Sequence, residues 1–184
     1  ISELIAEGFK QIHYTIVGRG LQDIYLRDYV KNKNLEQYVE FVGEQNKTGV
    51  VRYLEAADVL ILPSIITDTW AEAAVVQEAM FMRLLVIGTR AGGVPESTAD
   101  ILHQFSVPVC NAKVIANMIQ KILKLSASDI FQIGEEARNF AINKFDIEKI
   151  GPRLLNHAMG CESVIENNLD PPLWESHSID KANL

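Results

Sequence analysis

Residues 58–64 read DVLILPS, and residues 84–88 read LLVIG. Each holds four apolar residues in a row, VLIL and LLVI, and each run is closed by Pro63 and Ser64 or by Gly88. A strand with one wet face alternates apolar and polar residues. An unbroken run instead predicts a strand covered on both faces, as in a parallel sheet. Outward from these two, β-rich runs stand at 14–17 (YTIV), 39–42 (VEFV) and 106–109 (SVPV). Helical spacing between the runs predicts helices over 1–11, 21–33, 48–56, 70–82 and 94–102. Short strands alternating with helices are the pattern of βαβ units, so the expected class is α/β, a mainly parallel sheet flanked by helices.

Beyond residue 110 the strand signals stop. Ile115, Met118, Ile119, Ile122 and Leu123 form an amphipathic stripe. Ser128 is the expected N-cap of a helix reaching Phe145, with Ile133, Ala137, Phe140 and Ala141 facing inward. A further helix is expected over 147–158. Residues 161–184 have no sustained period and carry five acids against Lys181 alone. We read residues 1–160 as one domain and 161–184 as an acidic tail or linker.

The charge balance, 17 Lys+Arg against 24 Asp+Glu, is −7. Generic nucleic-acid or anionic-membrane binding needs the opposite sign, so neither is expected. Two cysteines, Cys110 and Cys161, are too few for a disulfide scaffold and point to a reducing, cytoplasmic compartment. No apolar run approaches the ~18 residues of a membrane span, and the first ten residues lack the apolar core of a signal peptide. His13, His103, His157 and His177 show no ligand spacing, so no metal is expected.

Three stretches carry possible chemistry. Gly18-Arg19-Gly20 follows a strand, but a dinucleotide fingerprint needs a third glycine where Asp23 stands, so it reads as a tight turn. Gly92-Gly93, with Pro95 after it, is either a required turn or a helix start that can receive an anion. The richest stretch is 68–80, DTWAEAAVVQEAM. It follows DVLILPS, and the carboxyl ends of strands are where open α/β sheets bind ligands. Asp68 or Thr69 can cap the helix, leaving the N–H groups of its first turn for a phosphate. Glu78 lies among apolar neighbours, where it either reaches solvent or accepts paired hydroxyl hydrogen bonds, as from a ribose.

Taken in order, YTIVGRG (14–20), VEFVG (39–43), YLEAADVLILPS (53–64), EAM (78–80) and VIGTRAGGVPE (86–96) resemble the C-terminal domain of group 1 glycosyltransferases. The likeness covers residues 1–145. It implies a Rossmann-like domain forming the donor-binding half of a GT-B architecture. The implied reaction moves a hexose from a UDP-, GDP- or ADP-sugar to a glycan, lipid or small-molecule acceptor, with retention at the anomeric carbon and no cofactor. Carried over residue by residue, Glu78 contacts the donor ribose, the amides of Ala73, Ala74 and Val75 hold the diphosphate, and Gly43, Glu44 and Gln45 contribute to base recognition.

The chain also departs from the pattern. A second glutamate, expected eight residues before Glu78 to contact the sugar, is replaced by Trp70. Glu72 and Asp68 are the carboxylates left to take that role. Arg83 and Leu85 stand where the family has Gly and Pro. The family's preceding strand, whose basic residues neutralise the leaving diphosphate, and its acceptor-binding domain would both lie before Ile1, so these residues alone are expected not to turn over. Any peripheral membrane contact would run through that acceptor domain. The alternative is a catalytically inactive domain of the same fold kept for assembly or regulation, motivated by Trp70, Arg83 and Leu85. An unrelated flavodoxin-like receiver would need an acidic cluster at its first strand end, and none is present.

Overall fold

The computed structural model describes residues 1–65, 73–91, 94, 98 and 102–158. In chain order the elements are α1 (Ser2–Ala6), β1 (Tyr14–Val17), α2 (Asp23–Asn32), β2 (Val39–Gly43), α3 (Lys47–Glu55), β3 (Val59–Leu62), α4 (Ala73–Phe81) and β4 (Leu85–Gly88). A 3-10 turn (His103–Phe105), α5 (Ala112–Leu123), α6 (Ala127–Phe145) and α7 (Ile147–Ala158) follow. The chain divides into two compact units, residues 1–138 and 139–184.

In the first unit the expected parallel strands are present, but they form two pairs rather than one continuous sheet. β1 pairs with β2, from Tyr14 beside Val39 to Val17 beside Gly43, with a bulge between Ile16 and Val17. β3 pairs with β4 in register from Val59/Leu85 to Leu62/Gly88. Among the described residues no ladder joins the pairs. That difference shows in burial. The LVI of β4 is fully enclosed, as the apolar run predicts, whereas all four residues of β3 are only half-buried. The fifth strand expected at 106–109 is reduced to one bridge, Val107 beside Thr89. Pro108 explains the shortfall, because it has no N–H to extend the ladder.

Helix ends follow local chemistry. Asn46 caps α3 by accepting from the Gly49 N–H at 2.9 Å, and Asn111 caps α5 by accepting from Val114 at 3.1 Å. The cap of α6 is Ser126, not Ser128. Its hydroxyl accepts from the Asp129 N–H at 3.1 Å while the Asp129 carboxylate accepts from the Ser126 N–H at 3.2 Å, a reciprocal box that starts the helix two residues early.

Three helices stop by one device, a left-handed residue just beyond the end with paired 5→2 and 6→1 hydrogen bonds. At α1 it is Gly8, φ +93°, with Gly8 N–H to Ile5 O and Phe9 N–H to Leu4 O, both 3.0 Å. This halts α1 at Ala6, well short of the expected residue 11. At α2 it is Asn34, φ +54°. At α4 it is Arg83, φ +66°, with Arg83 N–H to Met80 O and Leu84 N–H to Ala79 O, both 3.0 Å. Glycine and asparagine suit that region; a long side chain does not.

The first unit's core gathers Val76, Ala79 and Met80 of α4, Leu85, Val86 and Ile87 of β4, and Phe105 and Val107 beyond them. A second cluster, Val30, Leu35 and Val39 with Ile16 and Phe41 against it, lies under the β1/β2 pair. Leu4 seats α1. Lys113 and Gln120 of α5 donate to the Glu7 carboxylate and hold it below the ordinary carboxylate pKa. In α5 the buried residues are Ala116 and Ile122, and Leu123 of the expected stripe is exposed instead.

In the second unit, the rings of Phe140 and Phe145 meet edge-on at 6.0 Å, and the Asp146 carboxylate accepts from the Glu148 N–H at 3.0 Å to start α7. Ala141 is fully buried, as the expected inward face requires. The proposed tail, 161–184, lies outside the described residues.

Candidate functional site

β3 runs toward Pro63 and Ser64, and two contacts bind that exit to the end of β4. The Thr89 N–H donates to Leu62 O at 3.2 Å, and the Thr89 hydroxyl donates to Ser64 O at 2.6 Å. Thr89 is only 1% exposed, so this hydroxyl is fully committed to holding the exit of β3. Thr89 was not among the sequence candidates; its signal was a β-branched hydroxyl directly after a buried strand. Gly88 lets the next segment close in, since a Cβ there would stand 2.5 Å from Cγ1 of the buried Val94. Val107 N–H to Gly88 O at 2.9 Å and Arg90 N–H to Val107 O at 3.0 Å complete a rigid strand end.

α4 follows this exit. Its described part begins at Ala73 and carries Ala74, Val75 and Glu78. Val76, Ala79 and Met80 are fully buried, so they fix the helix against the core and leave the face of Glu78 half-buried. The Glu78 carboxylate makes no hydrogen bond or ion pair with any described residue. Asp68, Trp70 and Glu72 lie outside the described residues, as do Gly92, Gly93, Pro95 and Glu96.

The far end of α4 is held by α6. Arg138 donates to Phe81 O at 2.6 Å, and Arg83 pairs with Glu135. Gly134 allows the close approach, because a Cβ there would stand 2.5 Å from the Arg83 carbonyl oxygen. The helix carrying the candidate anion and hydroxyl ligands is thus buried along one side and tied at its C-terminus.

Gly43 and Glu44 sit in the other strand pair, at the carboxyl end of β2. Gly43 has φ +70°, and its carbonyl accepts from Gly18 N–H at 2.8 Å, fastening the ends of β1 and β2 together. Gln45 donates from Nε2 to Val42 O at 2.8 Å, which holds its amide against the end of β2; Glu44 is exposed. Over Gly43 lies the Arg19 guanidinium, with Nε 3.6 Å from the place a Cβ would take. Beside it opens a groove walled by Val17, Leu26 and Phe41. Among the described residues there is no grouping of three or more His, Cys, Asp or Glu able to hold a metal ion, and no helix long and apolar enough to cross a membrane.

The model of a family described as glycosyl transferases group 1 matches residues 2–143. The chain is 28% identical over 112 residues to the amylovoran biosynthesis glycosyltransferase AmsK of Erwinia amylovora, covering 59% of this chain and 28% of that protein. It is 26% identical over 144 residues to the putative colanic acid biosynthesis glycosyltransferase WcaL of Escherichia coli K12, covering 77% and 36%. Anabaena Alr3699/HepE, solved in complex with UDP, superposes with a TM-score of 0.73 at 20% identity, covering 86% of this chain and 44% of that one. The chain therefore spans about a third of these curated relatives' length.

Proposed function

The chain belongs to the group 1 glycosyltransferases, with a mixed α/β fold shared with GT-B enzymes, and from that premise we propose that it is the donor-binding half of a retaining hexosyltransferase. The observation that carries the reading is Glu78. Among the described residues it is a carboxylate without a partner, half-buried on the helix that follows the β3 exit in the chain. A ribose offers it two neighbouring hydroxyls as donors. The amides of Ala73, Ala74 and Val75 stand at the positive end of the same helix, where they hold the donor diphosphate. Gly43 and Glu44 meet the base, and Glu72 or Asp68 the sugar hydroxyls.

In this reading the diphosphate leaves from the face on which the acceptor attacks, and no cofactor takes part. The donor domain comprises residues 1–160 with the acidic tail 161–184 after it, and the acceptor domain lies outside these residues. That division accounts for the fraction of the relatives' length spanned, and it leaves residues 1–184 without turnover of their own. A cytoplasmic setting fits the two-cysteine composition. The inactive-domain alternative loses one of its motives, since Arg83 keeps the left-handed helix stop that glycine usually makes.

The test is a thermal-shift panel of UDP, GDP, ADP and their sugar conjugates on wild type and Glu78→Ala. A nucleotide at ~100 times its Kd adds about 2.7 kcal/mol of stability, well within reach of a melting curve. Glu78→Ala should weaken the bound nucleotide by about 1–3 kcal/mol, the loss of charge-assisted hydrogen bonds. An unchanged Kd removes Glu78 from the site, and no shift with any nucleotide favours the inactive alternative.

A further inference from the structure

Resting on that donor-site reading, we propose that Arg19 is a specificity-determining residue, whose guanidinium over Gly43 donates to the carbonyl edge of the donor's nucleobase. As sequence, Gly18-Arg19-Gly20 is no more than a turn. The fold gives it a place. The bulge at Ile16/Val17 brings Val17 beside Gly43, and the Gly18 N–H fastens to the Gly43 carbonyl at 2.8 Å. Residue 19 is thereby carried across the end of β2, 24 residues away along the chain. The guanidinium lies at ordinary contact distance over Gly43, with Nε 3.6 Å from the place a Cβ would take.

Three further observations point from there to a ligand. Among the described residues Arg19 makes no hydrogen bond or ion pair, although acids outnumber bases in this chain and Asp23 lines the same groove. The nearby backbone carbonyls already have partners of their own, Val42 O accepting from Gln45 Nε2 and Gly43 O from the Gly18 N–H. The groove beside Arg19 presents apolar surface from Val17 and Leu26, against which a flat ring can lie, while the Phe41 ring in its wall carries the Arg27 guanidinium at 4.5 Å.

A guanidinium has five N–H donors and no acceptor, and it stays charged at every physiological pH. It therefore selects a ring edge that carries acceptors. Guanine offers O6 and N7 side by side, the pattern an arginine reads bidentately. Uracil offers its carbonyl oxygens. Adenine sets an N6 amino donor next to N7, which opposes a second N–H. UDP and GDP donors are accordingly taken in preference to ADP donors.

Calorimetric titration of UDP, GDP and ADP against wild type, Arg19→Ala, Arg19→Lys and Glu78→Ala tests this. Wild type should bind UDP or GDP more tightly than ADP. Arg19→Ala should weaken that tighter ligand about tenfold while leaving ADP unchanged, the cost of one charge-assisted hydrogen bond. Arg19→Lys should recover less than the full loss, because an ammonium cannot reproduce the planar fork. A loss shared equally by all three nucleotides would mean a phosphate contact and overturn base selection. Binding that depends on Glu78 but is untouched by both Arg19 variants would overturn the role of Arg19 and leave the donor site standing. Failure of wild type to bind any nucleotide would overturn the donor site itself, and this inference with it. Unchanged melting temperatures without ligand confirm that the variants are folded, as expected for an exposed side chain.

Discussion

Replacing Phe105 with alanine should lower the unfolding free energy by about 3–5 kcal/mol, the range for truncating a buried aromatic. Phe105 is 1% exposed and sits two residues before the Val107 bridge that closes the β4 edge. The 3-10 turn that carries it is short, so the backbone has little freedom to collapse into the space left behind. Domains of this size are commonly stable by only 5–15 kcal/mol, so the variant should be close to unfolding at moderate temperature. Urea titration would measure it through a lower midpoint at unchanged slope. A loss below about 1 kcal/mol would mean that Phe105 does not fill the core as described. Phe105→Leu, which keeps most of the volume, should retain much of the stability.

Gly134→Ala is the second large effect, and its sign is the informative part. In an exposed helix interior, alanine is more favourable than glycine by about 1 kcal/mol. At position 134 the added methyl would stand 2.5 Å from the Arg83 carbonyl oxygen and 3.1 Å from its Cβ. The obstacle is backbone, which cannot swing aside as a flexible side chain does. Overpacking of this kind costs about 1–3 kcal/mol, enough to outweigh the propensity gain. Gly151→Ala, where a Cβ meets nothing within 4 Å, supplies the opposite expectation, a small stabilisation. Equal effects at the two positions would refute the close approach of α6 to the end of α4.

Much of this fold was legible in the sequence, for identifiable reasons. β4 was readable because its apolar run is enclosed on both faces as such a run predicts, whereas the equally apolar run of β3 is only half-buried. α4 was readable because Val76, Ala79 and Met80 recur at helical spacing. The stop of α1 is legible in Gly8, which takes the left-handed turn that ends the helix five residues short of the expected residue 11. At 106–109 the composition SVPV favours a strand, but Pro108 cannot donate to a ladder, and only the Val107 bridge to Thr89 forms. What composition cannot report is the division of the strands into two pairs, since pairing depends on residues far apart.

The candidate site divides in the same way. Glu78 and Ala73–Val75 lie on one contiguous stretch, so pattern alone can nominate them; Asp68 and Glu72 fall outside the described residues. Thr89 and Arg19 meet partners 25 and 24 residues away, Ser64 for one and Gly43 for the other, so their placement required the fold. Arg83 was visible only as a departure, and the geometry that accommodates it required the fold.

Arg83 also bears on the order in which the chain folds. Gly8 and Asn34 can reverse their helices as soon as those helices form, because the left-handed turn there is cheap and local. At Arg83 the same turn is unfavourable alone, and its partners, Gly134, Glu135 and Arg138, arrive some 50 residues later in the chain. The C-terminal turn of α4 therefore closes with the docking of α6 rather than ahead of it. Two segments distant in sequence are joined in one cooperative unit, and α4 reaches its final length only in the late, long-range stage of folding.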